Sequence, residues 1–169
     1  MSERGLLADA NARAHVHLEQ LWLDMMEALL TVDFGRANKA LEVLDQALAV
    51  HAAVEEEDAF GPFTDWLKAQ PAQGGPEDKT DQHLKGDHVI LERAMAGARR
   101  QLKALTEANA PLREVASVLE PFVRLQSVLD HHTMLEQRFL YPVLDEQLDE
   151  GTASALAEAL LKAVGLPGR

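Results

Sequence analysis

Four histidine–glutamate pairs recur at i, i+4 spacing along the 169 residues: His15/Glu19, His51/Glu55, His88/Glu92 and His132/Glu136. On a helix, side chains four apart stack on one face with Cβ atoms roughly 5–6 Å apart, so each pair offers an imidazole and a carboxylate to the same neighbour. Two pairs prolong an apolar stripe. Leu41, Leu44 and Leu48 run at 3–4 spacing into His51 and Glu55, and Phe122, Leu125 and Leu129 run into His132, Glu136 and Phe139. His15 precedes Leu18 and Trp22 as His88 precedes Leu91 and Met95. This register turns four histidines and two carboxylates inward. Buried without partners, such groups would each lose several kcal/mol of hydration. A metal ion offsets that loss, because a histidine can hold one ion while its glutamate reaches over to a second. Imidazole and carboxylate donors without sulfur suit iron, with manganese or zinc as other occupants.

Chance does not supply the pattern, since seven histidines among 16 glutamates in 169 residues give fewer than one such pair. The pairs also repeat in order. His15-Val16-His17-Leu18-Glu19 returns as His88-Val89-Ile90-Leu91-Glu92, and His51-Ala52-Ala53-Val54-Glu55 as His132-Thr133-Met134-Leu135-Glu136. Each half reads as a histidine, a helix, a turn, and a second helix ending in His-x-x-x-Glu. Within this scheme His17 aligns with Ile90 and reads as a bystander, and His131 is rotated about 100° from His132. Glu19 and Glu92 lie off the inward stripe and read as residues that orient nearby histidines, since a ligand histidine donates its other nitrogen to a carboxylate or carbonyl. In the run Glu55-Glu56-Glu57-Asp58, only Glu55 points in. Tyr141, Trp22 and Met25 read as core, beside the pocket.

Four long segments with helical period must position these groups. They are predicted over roughly 8–32, 35–59, 80–107 and from Asn109-Pro111 to about 148. Thr31–Gly35 breaks the first, and Gly61-Pro62 ends the second, with Thr64 capping a short helix. Gln70–Pro76 connects the halves. Pro121 and Pro142 each remove a helical hydrogen bond and predict kinks or restarts. A helix near 152–164, closed by Gly165, follows. The expectation is an all-α, antiparallel up-down four-helix bundle built as a duplicated helical hairpin, with a short extra C-terminal helix. Residues 1–169 read as a single domain.

Composition closes off other classes. Leucine, alanine and glutamate suit helices, and cysteine is absent, which removes disulfides, thiolate nucleophiles and sulfur-ligated metals. Sixteen basic against 28 acidic residues give a net charge of −12, which argues against nucleic acid or an anionic membrane as partner. No apolar run approaches a bilayer span. The opening residues do not resemble a signal peptide, and a cytoplasmic protein is expected. A ferritin-like di-iron oxidase needs Glu-x-x-His and a zincin needs His-Glu-x-x-His. Neither motif occurs.

The order His15, His51-x-x-x-Glu55, His88, His132-x-x-x-Glu136 resembles the hemerythrin family in its histidine–histidine–glutamate form. The run from His132 to Pro142 is similar to that family's second signature, and the run from His51 to Pro62 matches with its proline one place late. The resemblance spans roughly residues 10–148. It implies a four-helix bundle around a non-haem di-iron centre, in which His15, His51, His88 and His132 bind the irons and Glu55 and Glu136 bridge them. It also implies that dioxygen or a related small ligand binds at an open iron position. Oxygen carriers of the family place a second histidine four residues before the third-helix ligand and end with an aspartate at i+5. Here His83 lies five residues before His88, and the last acid is Glu136 at i+4. That histidine-poor set favours sensing of dioxygen, nitric oxide or peroxide, or iron handling, over oxygen storage, and a binding protein over an enzyme. The competing reading is a metal-free helical module whose acidic surface meets a basic partner.

Overall fold

Every regular element among the described residues of the computed structural model, 5–71 and 80–168, is helical. Most of the glycine-rich connection, from Ala72 to Pro76, lies outside them. Helix α1 (Leu6–Leu30) ends at a tight turn, and Asp33 opens α2 (Phe34–Val54) by accepting the Arg36 N–H at 3.0 Å. A π turn (Glu55–Ala59) carries α2 directly into α3 (Phe60–Ala69). Helix α4 covers Thr80–Glu107, the predicted segment. Asn109 then turns the chain with φ +46°, and Pro111 starts the short α5 (Leu112–Ser117). Helix α6 (Glu120–Leu135) begins with Pro121 in its first turn. A second π turn (Glu136–Leu140) leads into α7 (Tyr141–Gln147), where Pro142 again sits in the first turn. Asp149 caps α8 (Glu150–Ala163), and Gly165 supplies the left-handed φ of +80° that stops it. No described helix is long and apolar enough to cross a membrane.

Three expectations change. Gly61-Pro62 does not end the second helix but lies inside α3, and Thr64 is mid-helix rather than a cap. The fourth segment does not run from Pro111, because the short α5 precedes the restart at Glu120. The inward stripe also slips by one residue after each glutamate. Phe60 donates its N–H to the Glu55 carbonyl and Tyr141 to the Glu136 carbonyl, five residues back, so each turn holds one residue more than an α turn. The buried positions beyond are therefore Phe60 and Phe63, and Leu140, Tyr141 and Leu144, while Phe139 and Val143 are half-buried. The wide turn also accommodates the prolines, whose rings would clash with the carbonyl four residues earlier in a regular helix. Those carbonyls belong to Asp58 and Arg138, both inside π turns.

The apolar side chains form two separate clusters. One gathers Leu18, Met25, Leu41, Leu44, Leu91, Met95, Leu125 and Leu129. The other gathers Leu7, Phe60, Phe63, Leu84, Leu140, Tyr141, Leu144 and residues of α8. Along α1 and α4 the chain passes from the second cluster to the first, and along α2 and α6 it returns. Between the clusters all four helices contribute buried polar residues: Asn11, His15, His51, Glu55, Asp87, His88, His132 and Glu136. Helix α1 packs on α2 and α8, and α4 packs on α6 and α2. Beyond each π turn, a side chain reaches the start of another long helix. Asp145 accepts the N–H groups of Leu7 and Ala8 at 2.8 and 3.1 Å, and Thr64 donates to the Asp81 carboxylate at 3.2 Å.

Candidate metal centre

The polar layer exists because the helical registers of four segments coincide at one height. His51 follows Leu44 and Ala47 on the buried face of α2, and His132 follows Leu125 and Leu129 on that of α6. Their glutamates begin the π turns, so the backbone widens just where the carboxylates face inward. His15 lies one turn before Leu18, and His88 sits between Leu84 and Leu91. All six residues predicted from the sequence are buried, and both glutamates are 0% exposed.

They converge as two groups that could hold a metal ion: Glu55, His88, His132 and Glu136, and His15, His51 and Glu136. Within each, the donor atoms lie no more than 4.8 Å apart. The facing imidazole nitrogens are close, with Nε2 to Nε2 distances of 3.2 Å for His15 and His51 and 3.1 Å for His88 and His132. Glu136 spans the groups, its Oε2 being 2.6 Å from His15 Nε2 and its Oε1 2.5 Å from His132 Nε2. Glu55 does likewise at longer range, with Oε2 at 3.1 Å from His88 Nε2 and Oε1 at 3.5 Å from His51 Nε2. Donors held at roughly 2.0–2.2 Å from one ion stand about 3–4 Å from each other, a spacing that the contacts of 3.1–3.5 Å match, whereas the two contacts of Glu136 are shorter.

The outer nitrogens decide what the inner ones can do. Glu56 Oε1 lies 2.8 Å from His88 Nδ1, and an ionised carboxylate only accepts, so that nitrogen carries the proton. Thr133 donates its hydroxyl to the Leu129 carbonyl at 2.8 Å and accepts from His15 Nδ1 at 2.7 Å. In a neutral ring, each of these histidines then turns a bare Nε2 lone pair toward a carboxylate oxygen. Such an arrangement is repulsive unless a cation, a proton or a metal ion, lies between. No lysine or arginine is among the buried polar residues described. His51 Nδ1, His132 Nδ1 and Asn11 Oδ1 also lack hydrogen-bond partners.

Without a metal the two histidines that precede the glutamates fare differently. Burial depresses the His51 pKa despite the nearby Glu55 carboxylate. His132 is also desolvated, but the charge and hydrogen bonds of Glu136 and Glu55 outweigh burial and hold its pKa well above the usual value. Burial pushes Glu136 up, yet His132 and His15 prevail and its pKa falls well below the carboxylate range. Glu55 is lowered as well, with burial and Glu136 opposing and His51, His132 and His88 prevailing. Tyr141 is raised well above 10 by burial and by both carboxylates, so its hydroxyl stays protonated and donates to Glu55 Oε1 at 2.5 Å.

Several neighbours differ from the sequence reading. Glu19 and Glu92 are exposed and make no hydrogen bond to a histidine; Glu56, read as part of a solvated face, holds His88 instead. His17 is half-buried, His83 is exposed, and His131 points outward with its Nδ1 2.9 Å from Asp87. Trp22 and Met25 belong to the first apolar cluster. Asn11, whose amide donates to Glu136 Oε2 at 3.1 Å, was missed. Its signal was its place one turn before His15 on the inward face. An open-sided cavity of about 100 Å³ reaches all four histidines between α2 and α4, walled by Leu48, Ala52, Leu91, Met95 and Leu129. Comparison of the chain with family models, curated proteins and solved structures returned no match.

Proposed function

We propose that this chain is a hemerythrin-like protein, a four-helix bundle that holds a non-haem di-iron centre and binds dioxygen, nitric oxide or peroxide for sensing or iron handling in the cytoplasm. One observation carries the reading. Two buried groups of imidazole and carboxylate donors share Glu136, with no lysine or arginine among the buried residues described to neutralise them. The order of those residues along the chain and the alternating direction of the four long helices support it.

In this reading His15, His51, His88 and His132 are terminal ligands, and Glu55 and Glu136 bridge. Bound iron would supply an open coordination position for a small ligand. The chain supplies everything else. Glu56 and Thr133 fix the rings of His88 and His15, the apolar walls of the cavity exclude bulk water, and both apolar clusters keep the layer dry. Donor type suits iron and admits manganese or zinc. Anaerobic reconstitution with ferrous iron, followed by metal analysis and an optical spectrum after exposure to air, tests the reading. About two irons per chain are expected, one for each donor group, with near-ultraviolet bands of an oxo-bridged ferric pair. Iron content near zero would overturn it.

A further inference from the structure

The four inward histidines are not held alike at their outer nitrogens. His88 has Glu56 and His15 has Thr133, but His51 Nδ1 and His132 Nδ1 are buried with no hydrogen-bond partner. Across from His132 stands Asp87 of α4, a buried carboxylate that belongs to neither donor group. Its Oδ2 is 3.9 Å from His132 Nδ1 and 2.9 Å from Nδ1 of the exposed His131. The internal repeat supplies the control. As His51 matches His132, so Ala14 matches Asp87 and Val50 matches His131. The first half thus carries a buried methyl group and an exposed valine where the second carries an acid and an imidazole.

We propose that Asp87 is a positioning residue for His132, its carboxylate receiving the Nδ1 proton of that ring when Nε2 holds a cation. The inference rests on the metal-binding reading above and adds a residue outside both donor groups that steers one donor. A neutral imidazole that gives one nitrogen to a cation carries its proton on the other. Buried without an acceptor, that N–H loses its hydration and regains nothing. Closing 3.9 Å to the usual hydrogen-bond range takes a shift of about 1 Å, which rotation of the short aspartate side chain can cover. A carboxylate oxygen has room for two donors, so the bond to His131 does not exclude His132. Outer partners of this kind fix the tautomer and direction of a ligand ring and raise its basicity. Ala14 offers His51 no such acceptor, so the effect belongs to one half of the molecule.

Zinc titration of the metal-free full chain, followed by calorimetry and by NMR of proton exchange at the histidine ring nitrogens, tests this. In zinc-loaded wild type the His132 Nδ1 proton should exchange slowly with water. Asp87→Ala should weaken zinc binding by about tenfold and speed that exchange, leaving the His51 ring proton unchanged. Ala14 in the matching place shows that the packing accepts so small a side chain. Asp87→Asn keeps an acceptor and should recover most of the affinity and the slow exchange. A merely structural role would lower stability without moving either readout. His131→Ala removes only the exposed partner and should leave binding within about threefold of wild type. Wild-type affinity in Asp87→Ala, an asparagine variant no better than alanine, or an equal loss in His131→Ala would each overturn the proposal. Absence of any zinc binding by wild type would instead defeat the metal-binding reading itself, and this inference with it.

Discussion

The stretches 51–60 and 132–141 share a frame and differ in what they hold. Each begins with a buried histidine, places a buried glutamate one turn later, and passes through a π turn into an aromatic ring. The frame is backbone and register. The polar partners are not shared: Glu136 lies within 2.6 Å of two histidines and accepts from Asn11, whereas Glu55 keeps at least 3.1 Å from every histidine and accepts from Tyr141. Duplication can thus copy the positions of ligands while single side chains around them set each carboxylate's charge and reach.

The sharpest way to break the comparison is to neutralise each glutamate in metal-free protein. Glu136→Gln strands two histidines and should cost about 3–5 kcal/mol, the usual loss when one partner of a buried ion pair is removed. Glu55→Gln keeps a hydrogen-bond acceptor for Tyr141 and should cost less, about 1–3 kcal/mol. Urea unfolding of both variants measures the difference, and equal losses would mean that the closer contacts of Glu136 carry no extra energy.

The histidines of the two stretches should respond to pH in opposite senses. His132 has a folded pKa raised above the ordinary value near ~6.5, so its contribution is complete below that value and is lost as pH rises through the higher folded pKa. His51 has a folded pKa below it, so acid protonates the unfolded chain first and stability falls as pH drops under about 6.5. Thermal unfolding of metal-free protein with a chelator, from about pH 5 to 9, should show His132→Gln flattening the alkaline limb and His51→Gln flattening the acid limb.

A smaller effect separates the segments beyond the π turns. Asp145 caps two N–H groups of α1, and its replacement by alanine should cost about 1 kcal/mol. Thr64 occupies the matching place in the first half but makes a single bond to Asp81, and Thr64→Val should cost only about 0.5 kcal/mol. Denaturation midpoints of the two variants give the order directly.

Much of this was legible before any coordinates. Periodicity placed α4 over roughly 80–107, and the repeat singled out His15, His51, Glu55, His88, His132 and Glu136, because burial of polar groups at coinciding register has few other uses. The π turns were not legible. A 3.6-residue period carried the inward stripe to Phe139, whereas one added residue shifts it to Leu140, Tyr141 and Leu144. Long-range partners were hidden for a different reason. Whether Glu56 or Glu92 meets His88 depends on how α2 lies against α4, which no local pattern records.

The polar layer between two apolar clusters also decides where the molecule yields. In most helical proteins the ends fray and the middle holds. Here the half-height of every long helix is the place where dispersion contacts give way to charged groups that demand compensation, and two of the four backbones widen there. Deprived of a cation, the chain is two oily blocks joined by an electrostatic seam, and that seam is where it should open first. An ion seated at Glu136 would act as a rivet through that seam, so occupancy would be felt as stiffness at the centre of the molecule.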